Sequence, residues 1–423
     1  MFQDMMYGKG VLFMDAKGSS ENVALMKGLA ALTNRQKDLR IFALADDENS
    51  LTYNPVYMGQ KNELGGPRAA REAAERVFSV FSMDNEYYRG QSRLFFYSLM
   101  RVFAGIPKPF NLQDMRMAVV DDDALLQVLE DTTDEVACWE IKSQLKQLGP
   151  RKYETFTGLF NALAEYDHPL LNSYNPDIVI EEIMQERGLV YFNLPANRYP
   201  ILAPTIGKIV LQHVKAVGSL RQLDREKYDQ TPFSVNIDEL NRFAFEELIS
   251  ALAMLRDAHV QFRLAHQSLG DLEQVSREFA QQVKDNTRWK LFLFENDADH
   301  LEKVSRSYGT KTAFKKTVRF SLGPLFTFLN TGEVSNREVE EFLLHPNALK
   351  NLAPFGQGYL LLPDRIHGVN LEMLPPLQFE DYVLPRRQNT DGMNLFARIV
   401  EADAHATAEE PGVLVEKLKR RIS

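Results

Sequence analysis

Short apolar segments that alternate with helical patterns constrain the fold of this chain more than any other feature. Residues 10–15, GVLFMD, form an apolar run that ends in an acid, which is typical of a buried strand entering a loop. The following segment, SSENVALMKGLAALTNR, has helical spacing and a serine, Ser19 or Ser20, to cap its first turn. LRIFAL then offers a second strand, so the first part of the chain predicts a β-α-β unit.

The same alternation resumes after a long helical stretch. The strand segments are GLVYFNLP at 188–195, FSVNIDE at 233–239, VQFRLAHQS at 260–268 and WKLFLF at 289–294. Helical patterns separate the first three of them. This order predicts a mainly parallel sheet with functional groups at the carboxyl ends of its strands.

The domain organisation follows from where the alternation stops and starts. Residues 67–187 show mostly helical spacing, which predicts an all-α domain inserted into the α/β domain. The predicted parts are a first α/β part at 1–66, the insertion at 67–187, a second α/β part at 188–308, a C-terminal part at 309–400, and a polar linker with a short basic tail at 401–423.

Composition excludes several function classes. A formal net charge of −9 argues against a generally basic nucleic-acid-coating surface, although a local basic groove remains compatible with it. The single cysteine, Cys138, permits no internal disulfide, which fits a reducing compartment. No segment has the about 18 apolar residues of a membrane span, so we expect none in this chain.

Two adjacent acids, Asp238 and Glu239, follow the alternating strand FSVNI. In a P-loop NTPase the first such acid holds Mg²⁺ and the second polarises the water that attacks the γ-phosphate. The same pattern also fits an ordinary strand end with solvated carboxylates. The acid pair alone therefore leaves both interpretations open.

The next strand segment ends in Gln267, and Arg256 lies eleven positions earlier. An amide on the strand beside the acid pair can sense a γ-phosphate or orient water, and an arginine at a helix end can act across a subunit interface. The alternative is a capping glutamine and a surface arginine.

Several segments together resemble one protein family. VNIDEL, LRDAHVQFRLAHQSLGDL and NTRWKLFLF look like successive core segments of the type IV conjugative coupling proteins, the TraD/TraG group of the FtsK/HerA superfamily. GKGVLFMDAKG, NEYYRGQ, YFNLPANRYP and TGEVSNREVEEFLLHPN are similar to further parts of that family. The resemblance covers nearly the whole chain.

The resemblance implies an α/β fold, a RecA-like P-loop NTPase core with a mainly parallel sheet and an inserted all-α domain. It also implies a hexameric ring around DNA, at the cytoplasmic face of the bacterial inner membrane, with ATP and Mg²⁺ as cofactors. The site residues it implies are Asp238 for Mg²⁺, Glu239 as the second Walker B acid, Gln267 as γ-phosphate sensor, Arg256 as arginine finger, and Asp15 and Lys17 near the nucleotide.

The sequence departs from the family at the phosphate-binding loop. No G-x-x-x-x-G-K-[ST] occurs in the 423 residues, and the dipeptide Gly207-Lys208 lies inside a predicted helix. In the family that loop would come before the segment that Met1–Gly8 resembles. Either an N-terminal segment lies outside this sequence or the protein is a shortened homologue, and we expect slight ATP turnover by this chain alone.

A basic cluster in YGTKTAFKKTVRF is a candidate DNA contact. It consists of Lys311, Lys315, Lys316 and Arg319, with aromatic residues interleaved. A solvated charged face explains the same residues.

The sequence thus favours a motor ATPase domain of a conjugative coupling protein, with DNA, a relaxase or relaxosome and type IV secretion components as partners. The alternative is a non-hydrolysing subunit that joins full-length homologues and recruits relaxase or other cargo. A third interpretation is a degenerate remnant of a mobile element with an exposed sheet edge. Whether the chain is itself an enzyme stays open.

Overall fold

The structure is a computed structural model that divides into two compact units. The first unit comprises Met1–His266 and Leu377–Ser423, and the second comprises Gln267–Pro376. The residues described are 1–59, 66–83, 85–245, 248–249, 252, 254–294, 297–322, 328–352 and 356–399. The predicted linker and basic tail at 401–423 lie outside them.

A five-stranded parallel sheet forms the centre of the first unit, in the order β2-β3-β1-β4-β5. Its strands are β1 (Gly10–Asp15), β2 (Leu39–Ala43), β3 (Leu189–Asn193), β4 (Phe233–Asp238) and β5 (Val260–Leu264). Every residue of β1 and β3 is buried, because central strands of a parallel sheet are covered on both faces. The predicted mainly parallel sheet is therefore present.

The chain between β2 and β3 is helical. After α1 (Phe2–Met6) and α2 (Ser20–Leu32), it forms α3 (Pro67–Phe78), α4 (Glu86–Ala104), α5 (Leu112–Val120), α6 (Asp122–Asp131), α7 (Glu135–Leu148), α8 (Lys152–Ala164) and α9 (Ile180–Gln185). The rings of Phe95 on α4 and Phe156 on α8 pack with centroids 4.3 Å apart. A capping box between Asn111 and Asp114 starts α5.

Helix α10 (Leu202–Leu223) joins β3 to β4, and α11 (Leu240–Phe243) follows β4. A Cβ at Gly207 of α10 would lie 2.3 Å from Phe243 Cδ1, so this glycine makes room for the Phe243 ring. Gly207 is thus a packing residue inside a helix. Among the described residues, no helix is both long and apolar enough to cross a membrane.

Residues 377–399, the C-terminal strap, run back over the first unit. Lys27 Nζ of α2 lies 2.8 Å from Asp381 Oδ1, and Leu395 N donates to Asp114 Oδ1 of α5 at 2.9 Å. The strap therefore contacts both the α/β part and the helical insertion. Burial raises the pKa of Asp114 to about 6.

The second unit combines short helices with two antiparallel sheets. Its elements are α12 (Leu269–Glu273), α13 (Arg277–Asn286), β6 (Lys290–Phe292), α14 (Ala298–Ser307), β7 (Thr310–Leu322), β8 (Phe328–Phe342), α15 (Pro346–Lys350), β9 (Gln357–Leu361) and β10 (Ile366–Asn370). A small core contains Leu301, Val304, Leu344, Leu349 and Leu361. Strands β7 and β8 form a long two-stranded ribbon.

One prediction about this region differs from the structure. The segment WKLFLF does not extend the parallel sheet, because β6 pairs antiparallel with β9 in the sheet β10-β9-β6. The boundary between the two units, before Gln267, falls within the predicted part at 188–308, and the strap belongs to the first unit. An apolar run specifies a strand but not its partner, which contacts distant in sequence decide.

Candidate functional site

The candidate site lies at the carboxyl edge of the parallel sheet. β1 and β4 are neighbours, and their last residues, Asp15 and Asp238, are directly opposite each other in the register. The turn after β1 and the acid pair after β4 are therefore adjacent. The structure brings together four of the predicted site residues: Asp15, Lys17, Asp238 and Glu239.

Asp15 organises the turn after β1. It is fully buried, and its Oδ1 accepts hydrogen bonds from the backbone N–H groups of Lys17 at 2.7 Å and Gly18 at 3.4 Å. Its Oδ2 accepts from Asn22 Nδ2 at 2.8 Å and Tyr191 OH at 2.9 Å. Both oxygens thus have partners within the protein, so in this structure Asp15 shapes the turn that presents Lys17.

Gly18 fits the same turn for a steric reason. Its φ is +72°, and a Cβ there would lie 2.5 Å from Pro195 Cβ and 3.0 Å from Asn193 Oδ1. A residue with a side chain would be strained and would also clash with the segment after β3. The turn therefore requires glycine at this position.

Lys17 reaches from this turn to the acid pair. Its Nζ lies 3.2 Å from Glu239 Oε1 and 3.7 Å from Asp238 Oδ2. The hydrogen bond to Glu239 raises the pKa of Lys17, and the charges of Asp238, Glu239 and Asp15 raise it further against the opposing effect of burial. One ammonium group thus neutralises part of the charge of two carboxylates.

Glu239 has an unusual backbone conformation. Its φ is 55° and its ψ is 58°, in the left-handed region that residues other than glycine seldom adopt. Its N–H donates to Asp238 Oδ1 at 3.1 Å, and its side chain is only 12% exposed. Strained backbone of this kind occurs at functional sites where the surrounding structure fixes a side chain.

The acid pair fits Mg²⁺ by its ligand chemistry. Mg²⁺ takes oxygen ligands and is commonly held by one or two carboxylates together with water and phosphate oxygens. Asp238 and Glu239 supply two such carboxylates, with the Asp238 side chain 31% exposed. Within the described ranges, no group of three or more His, Cys, Asp or Glu side chains could hold a metal ion.

Two residues of β3, Tyr191 and Asn193, also support the site, although they were not predicted from the sequence. Tyr191 donates to Asp15, and its pKa is raised by burial first and by the Asp15 carboxylate next. Asn193 Nδ2 donates to Ser19 O at 3.4 Å. The signal was available, because YFNLP places polar groups near the carboxyl end of a predicted strand.

Arg256 lies at the amino ends of the parallel strands, opposite the carboxyl edge that carries the acid pair. It is exposed, in the turn before β5, where His259 N donates to Arg256 O at 3.1 Å. Because β5 runs parallel to β4, a strand of roughly 16 Å separates this edge from the edge that carries the acids. The structure does not bring Arg256 to the acid pair of its own chain.

The segment after β5 passes beside the acid pair. Ala265 N donates to Ile237 O at 2.9 Å, and Leu240 N donates to Ala265 O at 2.9 Å. Gln267 is exposed two residues further on, where the second unit begins. Its assignment as a γ-phosphate sensor stays a prediction.

The predicted basic cluster lies on β7 of the ribbon. Lys311, Lys315 and Lys316 are exposed, but Lys316 points to the face opposite Lys311 and Lys315, because side chains alternate along a strand. Lys315 Nζ lies 3.8 Å from Glu341 Oε1. The backbone of Arg319 belongs to β7, while its side chain lies outside the described residues.

One family model matches part of the chain. Residues 232–354 match the family described as the TraM recognition site of TraD and TraG. The matched range begins just before β4 and includes the acid pair, Arg256, Gln267 and the ribbon. This match confirms the resemblance to the TraD/TraG group.

Solved structures of a coupling protein share the fold. The plasmid coupling protein TrwB in complex with a non-hydrolysable ATP analogue aligns with a TM-score of 0.54 and 17% identity, over 90% of this chain and 89% of that chain. TrwB with ADP and Mg²⁺ aligns with a TM-score of 0.51 and 16% identity, over 92% and 88%. The predicted α/β fold class, a RecA-like P-loop NTPase core, is therefore confirmed.

The unbound monoclinic form of the bacterial conjugative coupling protein TrwB gives a similar result. Its TM-score is 0.52 at 16% identity, over 90% of this chain and 88% of that chain. No curated protein sequence matches the chain significantly.

Proposed function

We propose that this chain is the motor ATPase domain of a conjugative coupling protein and couples ATP hydrolysis to DNA transfer through a type IV secretion system. The observation that supports this most is the meeting of Lys17, Asp238 and Glu239 at the carboxyl edge of a RecA-like sheet, with Lys17 Nζ 3.2 Å from Glu239 Oε1. The family match at 232–354 and the shared fold support it independently.

We infer that the two acids, Asp238 and Glu239, have different roles in hydrolysis. Bound magnesium nucleotide supplies the phosphoanhydride bond and the positive charge that stabilises the transferring phosphoryl group. Asp238, the more exposed acid, would hold the metal, and the more enclosed carboxylate of Glu239 would orient the attacking water. Gln267 would report the γ-phosphate from the segment that follows β5.

Arg256 then belongs to a neighbouring copy of the chain. It is exposed at the amino edge of the sheet, whereas the acids lie at the carboxyl edge. An arginine finger at this position can complete only the site of another subunit. We infer that the active form is a ring, and the family resemblance suggests a homo-hexamer around DNA.

The partners follow from the family match. The matched family is described by TraM recognition, and most of the second unit lies within the matched range. We infer that this unit contacts a relaxosome component. The ribbon residues Lys311, Lys315 and Lys316, with Arg319, are the candidate DNA contacts.

The first experiment measures ATP hydrolysis by the purified chain with Mg²⁺, with and without DNA, beside Glu239→Gln. Because no G-x-x-x-x-G-K-[ST] loop occurs in the sequence, we expect slight turnover in both proteins. DNA-stimulated turnover that Glu239→Gln abolishes would show a working nucleotide site, and would overturn the expected deficit.

The decisive experiment is DNA transfer from a donor cell that carries the natural gene. We expect both deletion of the gene and Glu239→Gln to lower transfer by about a thousandfold, since such an acid carries the hydrolytic step. Normal transfer with Glu239→Gln, but none after deletion, would exclude the motor function.

Normal transfer with Glu239→Gln, together with its loss after deletion of the gene, would favour the other candidate. This is a non-hydrolysing subunit that co-assembles with full-length homologues and recruits relaxase or cargo. The absence of a recognisable phosphate-binding loop in the 423 residues is the observation that favours it. Cellular abundance of the Glu239→Gln protein, measured by immunoblot, controls for misfolding. Asp381→Asn, which removes one carboxylate charge from an ion pair with Lys27, is the matched control for altered charge.

A further inference from the structure

The ammonium group of Lys17 lies where two carboxylates converge. Lys17 Nζ is 3.2 Å from Glu239 Oε1 and 3.7 Å from Asp238 Oδ2. The Lys17 side chain is 58% exposed, whereas that of Glu239 is 12% exposed. The cation is thus the most exposed member of this group, and the carboxylates are the more enclosed members.

The main chain of Lys17 is fixed although its side chain is not. Asp15 accepts the N–H of Lys17 at 2.7 Å, and Gly18 holds a φ of +72° against Pro195. The Cα of Lys17 therefore cannot move without breaking the buried turn. Only the four-carbon side chain can carry the ammonium group toward or away from the acids.

The carboxylates are fixed as well. Glu239 is held in the left-handed conformation, and its N–H donates to Asp238 Oδ1 at 3.1 Å. Two carboxylates held close together repel each other unless a cation lies between them. The backbone therefore builds a site for a positive charge, and Lys17 supplies that charge in this structure.

We propose that Lys17 is a positioning residue that occupies the divalent-cation place at the acid pair in the nucleotide-free chain, and that it leaves when a divalent cation binds. The inference rests on the proposed function for the identity of the cation as Mg²⁺. Its consequence is competition: Lys17 weakens metal binding to the empty site, so the metal binds well only together with a phosphate ligand that adds its own oxygens. The released ammonium group is then available to that phosphate.

Binding of Mn²⁺ to the nucleotide-free chain, measured by electron paramagnetic resonance, tests this competition. We expect Lys17→Met to tighten Mn²⁺ binding by roughly fivefold to tenfold, as removal of two partly exposed ion pairs allows. Lys17→Arg keeps the charge and should bind Mn²⁺ like the unsubstituted chain. Lys27→Met removes the same charge from an ion pair with Asp381 and should also leave the affinity unchanged.

A variant that combines Lys17→Met with Asp238→Asn and Glu239→Gln locates the bound ion. This variant should lose the tight Mn²⁺ binding that Lys17→Met gains. Equal affinity in Lys17→Met and the unsubstituted chain would overturn the proposal, and so would Mn²⁺ binding that survives loss of both acids. Absence of Mn²⁺ binding in all variants would overturn it too.

A second measurement observes Lys17 itself. The lysine ε-carbons are labelled with ¹³C for NMR, and the signal of Lys17 is assigned as the one that Lys17→Arg removes. We expect Mg²⁺ to shift this resonance toward the position that it has in Glu239→Gln. An unmoved resonance at saturating Mg²⁺ contradicts the displacement. Neither measurement requires ATP hydrolysis. If Mg²⁺ displaces Lys17 but Glu239→Gln still transfers DNA normally, the motor function is excluded and this inference remains supported.

Discussion

The carboxyl edge of the parallel sheet and the β7–β8 ribbon both concentrate charged side chains, but they hold them differently. At the sheet edge, Asp15 is fully buried and accepts several hydrogen bonds, two of them from side chains at 2.8 and 2.9 Å. On the ribbon, Lys315 is exposed and meets Glu341 only at 3.8 Å. The first arrangement fixes the Asp15 carboxylate in one place, and the second leaves the Lys315 ammonium group solvated.

This difference distinguishes charged side chains that are buried and hydrogen-bonded from charged side chains that remain in solvent. A buried, fully hydrogen-bonded carboxylate contributes to stability and sets the geometry of a site. An exposed pair contributes little to stability and is free to exchange its partner for a ligand such as a phosphate group. The sheet edge is therefore suited to positioning a reaction, and the ribbon is suited to contact with a polyanion.

The largest expected effect is on the buried carboxylate. Asp15→Ala should lower the free energy of unfolding of the first unit by about 3–5 kcal/mol, because it leaves buried donors such as Tyr191 OH without an acceptor. Chemical denaturation measures this. Lys315→Ala, the matched change on the ribbon, should stay within about 0.5 kcal/mol. Similar losses in both variants would contradict the distinction.

The next comparison between the two regions is the cost in stability of replacing a glycine by alanine, at two glycines with similar backbone angles. Gly18 has φ +72°, and a methyl group added there would lie 2.5 Å from Pro195 Cβ, whereas Gly309 has φ +86° with nothing within 4 Å of the same position. Gly18→Ala should cost about 2–4 kcal/mol from strain and overpacking together, and Gly309→Ala about 1 kcal/mol from backbone strain alone. Thermal denaturation of both variants checks the ranking, and equal costs would show that the contact with Pro195 is not limiting.

The buried carboxylate of Asp114 should make the stability of the protein depend on pH. The pKa of Asp114 is raised to about 6 by burial, above the value of about 3.9 in an unfolded chain. The folded state then binds more protons between these values, so stability falls as pH rises from about 4 to about 6. Asp114→Asn should remove this fall, and its stability relative to the unsubstituted chain should improve by about 2–3 kcal/mol between pH 4 and pH 7. Denaturation at both values measures it, and a relative stability that does not change would contradict the raised pKa.

Substitutions of Glu239, the residue with a left-handed backbone at the carboxyl edge of the sheet, should give a smaller difference in the free energy of unfolding. Glu239→Gly and Glu239→Ala both remove the ion pair with Lys17, but only glycine relieves a φ of 55°. We expect Glu239→Gly to be more stable than Glu239→Ala by about 1 kcal/mol, measured by denaturant titration. Equal stability would indicate that the backbone relaxes when the side chain is lost.

The smallest effect concerns the ribbon and its proposed ligand. If Lys316 contacts a DNA phosphate, Lys316→Ala should reduce the salt dependence of DNA binding by about one unit of slope, uniformly across sequences. Fluorescence anisotropy at several salt concentrations measures this. An unchanged slope would mean that Lys316 is a solvated charge, the alternative that its sequence context already offered.

The parallel sheet could be predicted from sequence because its strands are buried on both faces. The run GVLFMD predicted a strand at 10–15, and the structure has it at Gly10–Asp15. The acid pair was located by the same reasoning, since it directly follows the predicted strand FSVNI. Burial leaves a continuous apolar signal that short segments carry by themselves.

The ribbon and the ion pair at the sheet edge could not be predicted in the same way. Lys311 and Lys316 are exposed on opposite faces of β7, so the alternation of apolar and polar residues that marks a strand is absent there. The approach of Lys17 to Glu239 depends on β1 lying beside β4, which is a matter of strand order. No local pattern reports strand order or the left-handed backbone of Glu239.

The C-terminal strap has a consequence for how the protein is made. Leu395 N donates to Asp114 Oδ1 across a sequence separation of 281 residues. At translation rates of about 5–20 residues per second, Asp114 leaves the ribosome roughly 15–60 s before the segment that completes its surroundings. During that interval the helical insertion carries a solvent-accessible carboxylate where the finished protein has a closed interior. Its final packing is therefore a late event, and nascent chains are open to chaperones and proteases until the strap arrives.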